Sequence, residues 1–172
     1  MPSAISSPPS RRCTRPASTA ARTWPSSAAS TAWANWARRA QFAHAVEAGE
    51  LGQVLGAVDA GRVRRLEGGE EIAEGVHVVL LGGHSPGQMA LTVDAVAGRV
   101  VLASDALHFY EELERDRPFG VIADLAEMYE AYDTLRELCG PGAHLVPGHD
   151  AEVMMRYPPV EGPASGFAVE IR

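Results

Sequence analysis

Three side chains able to bind a metal share one kind of address in this sequence. His84 lies in "GGHSPGQ", directly after the apolar run "VHVVLL". Asp105 ends the apolar run "VVLAS", and His149 follows "LVPG". Each stands where a strand gives way to a turn. Pro86-Gly87 and Pro147-Gly148 preset the backbone beside the two histidines, because proline fixes φ and glycine tolerates positive φ. Side chains at the ends of three strands can converge on one edge of a sheet. Neutral imidazole and carboxylate are good zinc ligands, and two histidines with a carboxylate form a catalytic complement that activates water for hydrolysis. Singly, each residue has a plainer role: His84 as a hydrogen-bonding loop residue, Asp105 as a cap for the helix after it, His149 with Asp150 as a polar pair at a helix start. Their shared position at strand ends favours a site.

The surrounding pattern predicts an α/β arrangement to position them. Residues 76–81 are β-branched and apolar and predict a buried strand. Met89, Leu91 and Val93 alternate with smaller or polar residues, Ala97-Gly98 predicts a turn, and Val100, Val101 and Leu102 return as a second strand. That hairpin pairs with residues 76–81 into a sheet. Residues 106–114 predict a short helix, broken by Arg117-Pro118-Phe119-Gly120. Asp124 is the expected N-cap of a longer helix that carries Leu125, Met128, Tyr132, Leu135 and Leu138 on one face and stops at Gly140. "AHLVPGHD" predicts a short strand, residues 151–156 a helix ending before Pro158-Pro159, and "GFAVEI" a closing strand. Upstream, Trp33, Trp36, Ala40, Phe42, Ala43, Val46, Leu51, Val54 and Leu55 recur at helical intervals up to about Val58. No internal repeat is present.

Composition narrows the function classes. A hydrophobic fraction of 46% in 172 residues suits one domain with a sizeable core. The net charge of -7, with no basic stripe beyond residue 65, argues against a nucleic-acid partner. No apolar run approaches the ~18 residues of a membrane span. Cys13 and Cys139 lie far apart and form neither a disulfide framework nor a thiolate zinc knuckle, so a reducing cytoplasm is the expected location. Residues 1–46 contain six arginines and no Asp or Glu, with Ser, Ala, Thr and Pro crowding the rest. Residues 1–35 are therefore set apart from an expected domain over 36–172. Three readings fit them: a disordered tail, an organellar transit segment (against which the four prolines by position 16 count), or translation of a shifted frame of GC-rich DNA.

"GGHSPGQMAL", then "VVLASDA" with Asp105 21 residues after His84, then "LVPGHD" with His149 44 residues after Asp105, resembles the second half of a metallo-β-lactamase-fold hydrolase. "ASDALHFYEELERDRPF" resembles the N-acyl homoserine lactonase branch, whose members quench quorum signals. The resemblance covers roughly residues 36–157 and implies a partial metallo-β-lactamase-like αββα fold, with a mostly antiparallel or mixed sheet flanked by helices. It implies that His84 binds one zinc, that Asp105 bridges two, and that His149 binds the second. The implied partner is a small-molecule ester or lactone, and the implied reaction is lactone hydrolysis by metal-activated water. The alternative is thioester hydrolysis of the glyoxalase II kind.

Two departures qualify that expectation. The family's first-half signature, His-x-His-x-Asp-His, is absent, and His44, the only histidine before His77, does not match it. A chain without those ligands could be a pseudoenzyme or binding module, or could fold in a homo-oligomer that covers an exposed sheet edge. Lactonases also place a tyrosine three residues after the bridging Asp, where it hydrogen-bonds the substrate carbonyl. Here that position is His108, with Tyr110 two residues further on. Either could polarise a carbonyl as a catalytic residue, or stand on the surface of the 106–114 helix.

Other nucleophiles are weak candidates. Ser85 and Ser104 adjoin the key residues without a Gly-x-Ser-x-Gly elbow. Cys139, at a helix C-terminus, is expected to be inert. His77 and His144 fit structural roles, and Glu111, Glu112, Glu114, Arg115 and Arg117 predict a solvated helix face.

Overall fold

A computed structural model describes residues 47–64 and 66–171. Helix α1 (Ala48–Asp59) precedes strands β1 (Glu71–Ala73), β2 (Val76–Leu80), β3 (Met89–Ala95) and β4 (Gly98–Ser104). Helices α2 (Tyr110–Arg115) and α3 (Leu125–Leu138) then lead to β5 (His144–Pro147) and α4 (Val153–Arg156). The five strands form one sheet in sequence order. β1 to β4 pair antiparallel, while β5 returns parallel to β4 after the two helices. Consequently β2, β4 and β5 run in one direction and end on one edge of the sheet, which is where the three candidate ligands follow.

The two faces of the sheet differ. Ala90, Val101 and Ala103 lie on one face and join Ala106, Leu107, Met128, Tyr132 and Leu135 in the buried core. The small alanines let α3 approach the strands, and full burial of Leu135 and its neighbours stabilises the layer by about 1.5–3 kcal/mol per large apolar side chain. Asp124 caps α3: its carboxylate accepts from the backbone N–H groups of Ala126 and Glu127. On the opposite face the cross-strand row Val78, Leu91, Leu102 and Val146 is in register. Met89, Leu91, Leu102 and Val146 of this face line an open pocket of about 540 Å³, shared with Asp105 and His149.

The structure corrects several element boundaries. Residues 106–109 form a turn, and the helix expected over 106–114 begins only at Tyr110. Strand β1, three exposed residues joined to β2 through an irregular register, escapes the alternation pattern. The expected closing strand "GFAVEI" reduces to a single bridge between Pro159 and Val169, because two consecutive prolines remove the N–H groups a ladder would need. The last helix spans Val153–Arg156 instead of 151–156. Leu125, placed on the buried face of α3 by spacing, is 55% exposed. The segment 1–35, the start of the domain at 36 and His44 lie outside the described residues.

Candidate metal centre

The turn that carries His84 is held from both sides. The N–H groups of Leu81 and Gly82 both donate to the Gln88 carbonyl, and the His84 N–H donates to the Gly82 carbonyl at 3.1 Å. The Gly83 carbonyl accepts from the N–H groups of Ala123 and Asp124, which docks the turn on the start of α3. Gly83 has φ +81°, and a Cβ there would stand 2.7 Å from the Met128 backbone, so no larger residue fits without displacement. His84 Nδ1 lies 3.0 Å from the Val121 carbonyl oxygen. A carbonyl only accepts, so Nδ1 is the donor to it, and Nε2 is the nitrogen turned toward Asp105, 3.9 Å from its Oδ2.

Asp105 and His149 meet across the β4–β5 edge. Ser104, immediately before Asp105, has φ +50°, a left-handed conformation that turns the chain sharply out of β4. The Gly148 and His149 N–H groups donate to the carbonyls of Leu107 and His108, lacing the exit of β5 to the 105–108 turn. Gly148 permits this approach: a Cβ there would lie 2.8 Å from the Ser104 carbonyl oxygen and 3.3 Å from Asp105 Oδ1. His149 Nε2 is then 2.9 Å from Asp105 Oδ1. The two histidines thus face different oxygens of one carboxylate.

His108 completes the cluster from beneath. Its ring is 6% exposed, with ring centroids 5.0 Å from His84, 5.2 Å from His149 and 4.3 Å from Phe119. Burial holds its basicity below the usual imidazole range, with the nearby Glu112 pulling the other way. Nδ1 is buried without a hydrogen-bond partner, 3.7 Å from Glu112 Oε1. Asp105, His108 and His149 each offer a ligand atom, all within 4.8 Å of one another.

Tyr110 is not brought into this group. Its hydroxyl donates to the Leu145 carbonyl at 2.8 Å, its ring lies under the Arg156 guanidinium, and its backbone N–H donates to Asp150. It joins α2 to β5 and α4, away from the cluster. Glu112 is the residue that sequence reasoning misplaced. Far from solvated, it is 5% exposed, and its carboxylate accepts from the N–H groups of His108, Phe109 and Phe119 and from the Tyr132 hydroxyl. An acid three residues after the N-cap is a known helix-start signal, which the premature start at 106 concealed. Cys139 is half-buried, and burial pushes its thiol pKa up, as expected of an inert cysteine. His77 Nε2 stands 3.9 Å from Asp94, and the His144 ring lies 5.7 Å from that of Tyr157, both apart from the cluster.

No family model matches the sequence, and no curated protein matches it. Solved structures do. An N-acyl homoserine lactone hydrolase, with its product N-hexanoyl-L-homoserine bound at the catalytic metal centre, is 28% identical with a TM-score of 0.50 over 54% of this chain. A point mutant of B. thuringiensis AiiA, with N-decanoyl-L-homoserine bound at its active site, matches to the same extent. The chain spans about 38% of the length of either structure. The mixed five-stranded sheet with flanking helices is the part of the metallo-β-lactamase-like fold that this chain shares with them. Among the described residues no helix is long and apolar enough to cross a membrane.

Proposed function

We propose that this chain, a partial metallo-β-lactamase-like domain, holds zinc through His84, Asp105 and His149 and serves the hydrolysis of a lactone of the N-acyl homoserine lactone class. The observation that carries the reading is the Asp105 carboxylate, with His149 Nε2 2.9 Å from one oxygen and His84 Nε2 3.9 Å from the other. Two neutral imidazoles and a carboxylate fit a zinc ion, which supplies a Lewis acid and an activated water when bound. The chain's own side chains then orient and do not attack: the Val121 carbonyl fixes the tautomer of His84, and Asp105 aligns both rings. The similar N-acyl homoserine lactone hydrolase, with its product bound at the catalytic metal centre, supports lactone as the substrate class.

The test uses the full chain loaded with zinc. Ring opening of N-hexanoyl homoserine lactone is followed by acid release, with a glutathione thioester run in parallel. Turnover is expected to fall at least about 100-fold in His84→Ala and His149→Ala, since even outer partners of a metal site cost 10–100-fold. Turnover that is unchanged in both variants refutes the ligand set, and faster thioester cleavage moves the substrate class. The open apolar pocket beside Asp105 and His149 favours a second reading, a metal-holding module that binds without turning over. Stoichiometric zinc with no turnover of either substrate would select it.

A further inference from the structure

We infer that His108 is a fourth metal ligand, so that His84, Asp105, His108 and His149 form a single-ion site built from this chain alone. The inference rests on the three-ligand reading above and adds a residue to it. His108 was a candidate for polarising a substrate carbonyl, a role that needs access to substrate. At 6% exposed it presents little surface to a substrate, whereas a ligand needs only its nitrogen beside the other donors. It offers an atom within 4.8 Å of those of Asp105 and His149. Zinc bonds of 2.0–2.1 Å place tetrahedral donors about 3.3 Å apart, so these three draw together as the ion enters, and His84, outside that group of three with its Nε2 3.9 Å from Asp105 Oδ2, moves in to join them.

Two further observations favour ligation. The Nδ1 atom of His108 is buried without a hydrogen-bond partner, 3.7 Å from Glu112 Oε1. An imidazole held by a metal through one nitrogen presents the other to a carboxylate, and Glu112 stands where that partner belongs. The backbone of His108 is also fixed on both sides, its N–H by Glu112 Oε1 at 2.9 Å and its carbonyl by the His149 N–H at 3.1 Å. The Phe119 ring lies beside it, tilted by 35° with ring centroids 4.3 Å apart. Three neutral imidazoles and one carboxylate complete a four-coordinate sphere for one divalent ion, which expands to five when a water enters.

The metal-free full chain is titrated with Zn²⁺ by calorimetry and with Co²⁺ by visible absorption, alongside His108→Phe, His84→Ala and His149→Ala. X-ray absorption of the zinc-loaded parent counts its imidazoles without any substitution. One ion per chain is expected, with three imidazoles, an intense four-coordinate cobalt spectrum, and affinity at least about 100-fold weaker in His108→Phe. Two imidazoles, with parental affinity in His108→Phe and loss in the other two variants, would overturn the role of His108 and leave the three-ligand reading intact. A parent that binds no ion overturns both. Should His108→Phe fail to fold, the imidazole count alone decides.

Discussion

Replacing Glu112 with glutamine keeps the shape of the side chain and removes half of its capacity to accept. Oε1 accepts from the N–H groups of His108 and Phe109 at 2.9 and 2.8 Å, and Oε2 from the Phe119 N–H at 3.1 Å and the Tyr132 hydroxyl. The least costly arrangement of the glutamine keeps its oxygen toward His108 and Phe109. Its NH₂ then meets Tyr132, which can rotate to accept, and the Phe119 N–H, which cannot. One backbone donor is left unpaired in a site 5% exposed, a cost of about 1–3 kcal/mol. With a urea m-value of about 1–3 kcal/mol/M, a loss near 2 kcal/mol moves the unfolding midpoint down by about 1 M. Far-UV circular dichroism of the metal-free chain in urea measures it, and an unchanged m-value shows that stability alone has changed. Tyr132→Phe removes one donor and leaves Oε2 bonded to Phe119, so it costs less, about 1 kcal/mol. Because both residues share one oxygen, the double variant is expected to miss additivity by at least about 0.5 kcal/mol. A Glu112→Gln protein within about 0.5 kcal/mol of the parent would refute the account of Glu112 as the anchor of the 105–109 turn.

Three other outcomes follow from the geometry. Gly83→Ala forces a Cβ against the Met128 backbone at positive φ and is expected to destabilise the chain by about 2–3 kcal/mol, read by urea unfolding, where a loss below about 0.5 kcal/mol would show that the turn yields freely. Tyr110→Phe keeps the ring beneath Arg156 and loses the hydroxyl's bond to the Leu145 carbonyl and its contact with the Tyr157 hydroxyl, so stability should fall by about 1 kcal/mol while zinc affinity and turnover stay at parental values; a selective loss of kcat would return Tyr110 to the substrate side. Burial raises the Cys139 thiol pKa, so less thiolate is present at pH 8 and alkylation of the Cys139 peptide, followed by mass spectrometry, should run slower in the folded chain than in urea; equal rates would contradict its burial.

The sequence carried the candidate ligands more plainly than it carried what supports them. His84, Asp105 and His149 stand out because apolar runs mark the strands, and Pro-Gly pairs mark the turns beside both histidines. The long helix was equally plain, since Asp124 at its start and Gly140 at its end punctuate an apolar stripe. Glu112 was hidden by its neighbours. Among Glu111, Glu112 and Glu114, the one that turns inward depends on where the helix begins, and the left-handed Ser104 and the turn after it delay that start to Tyr110. No local pattern reports such a delay. His108 was visible as a departure from the lactonase pattern, but its burial under Phe119 depends on a contact between segments that periodicity does not encode.

The common direction of β2, β4 and β5 has a consequence for how this site could change over generations. Adjacent strands lie about 4.8 Å apart, so the ladder fixes the spacing between the ends of β4 and β5, and beyond His149 the ties that matter are Asp150, which accepts from the Tyr110 N–H, and Arg156 over the Tyr110 ring. β2 is two strands away from β4, and the 81–88 turn spans the width of β3 to bring His84 to the same carboxylate. Insertions beyond Arg156 are therefore cheap to accumulate, since doubling a loop costs only about 0.6 kcal/mol in closure entropy. A single insertion between Gly82 and Gln88 would instead withdraw a donor. Variation is thus steered away from the short turn and into the longer segments, while the placement of His84, Asp105 and His149 stays constant.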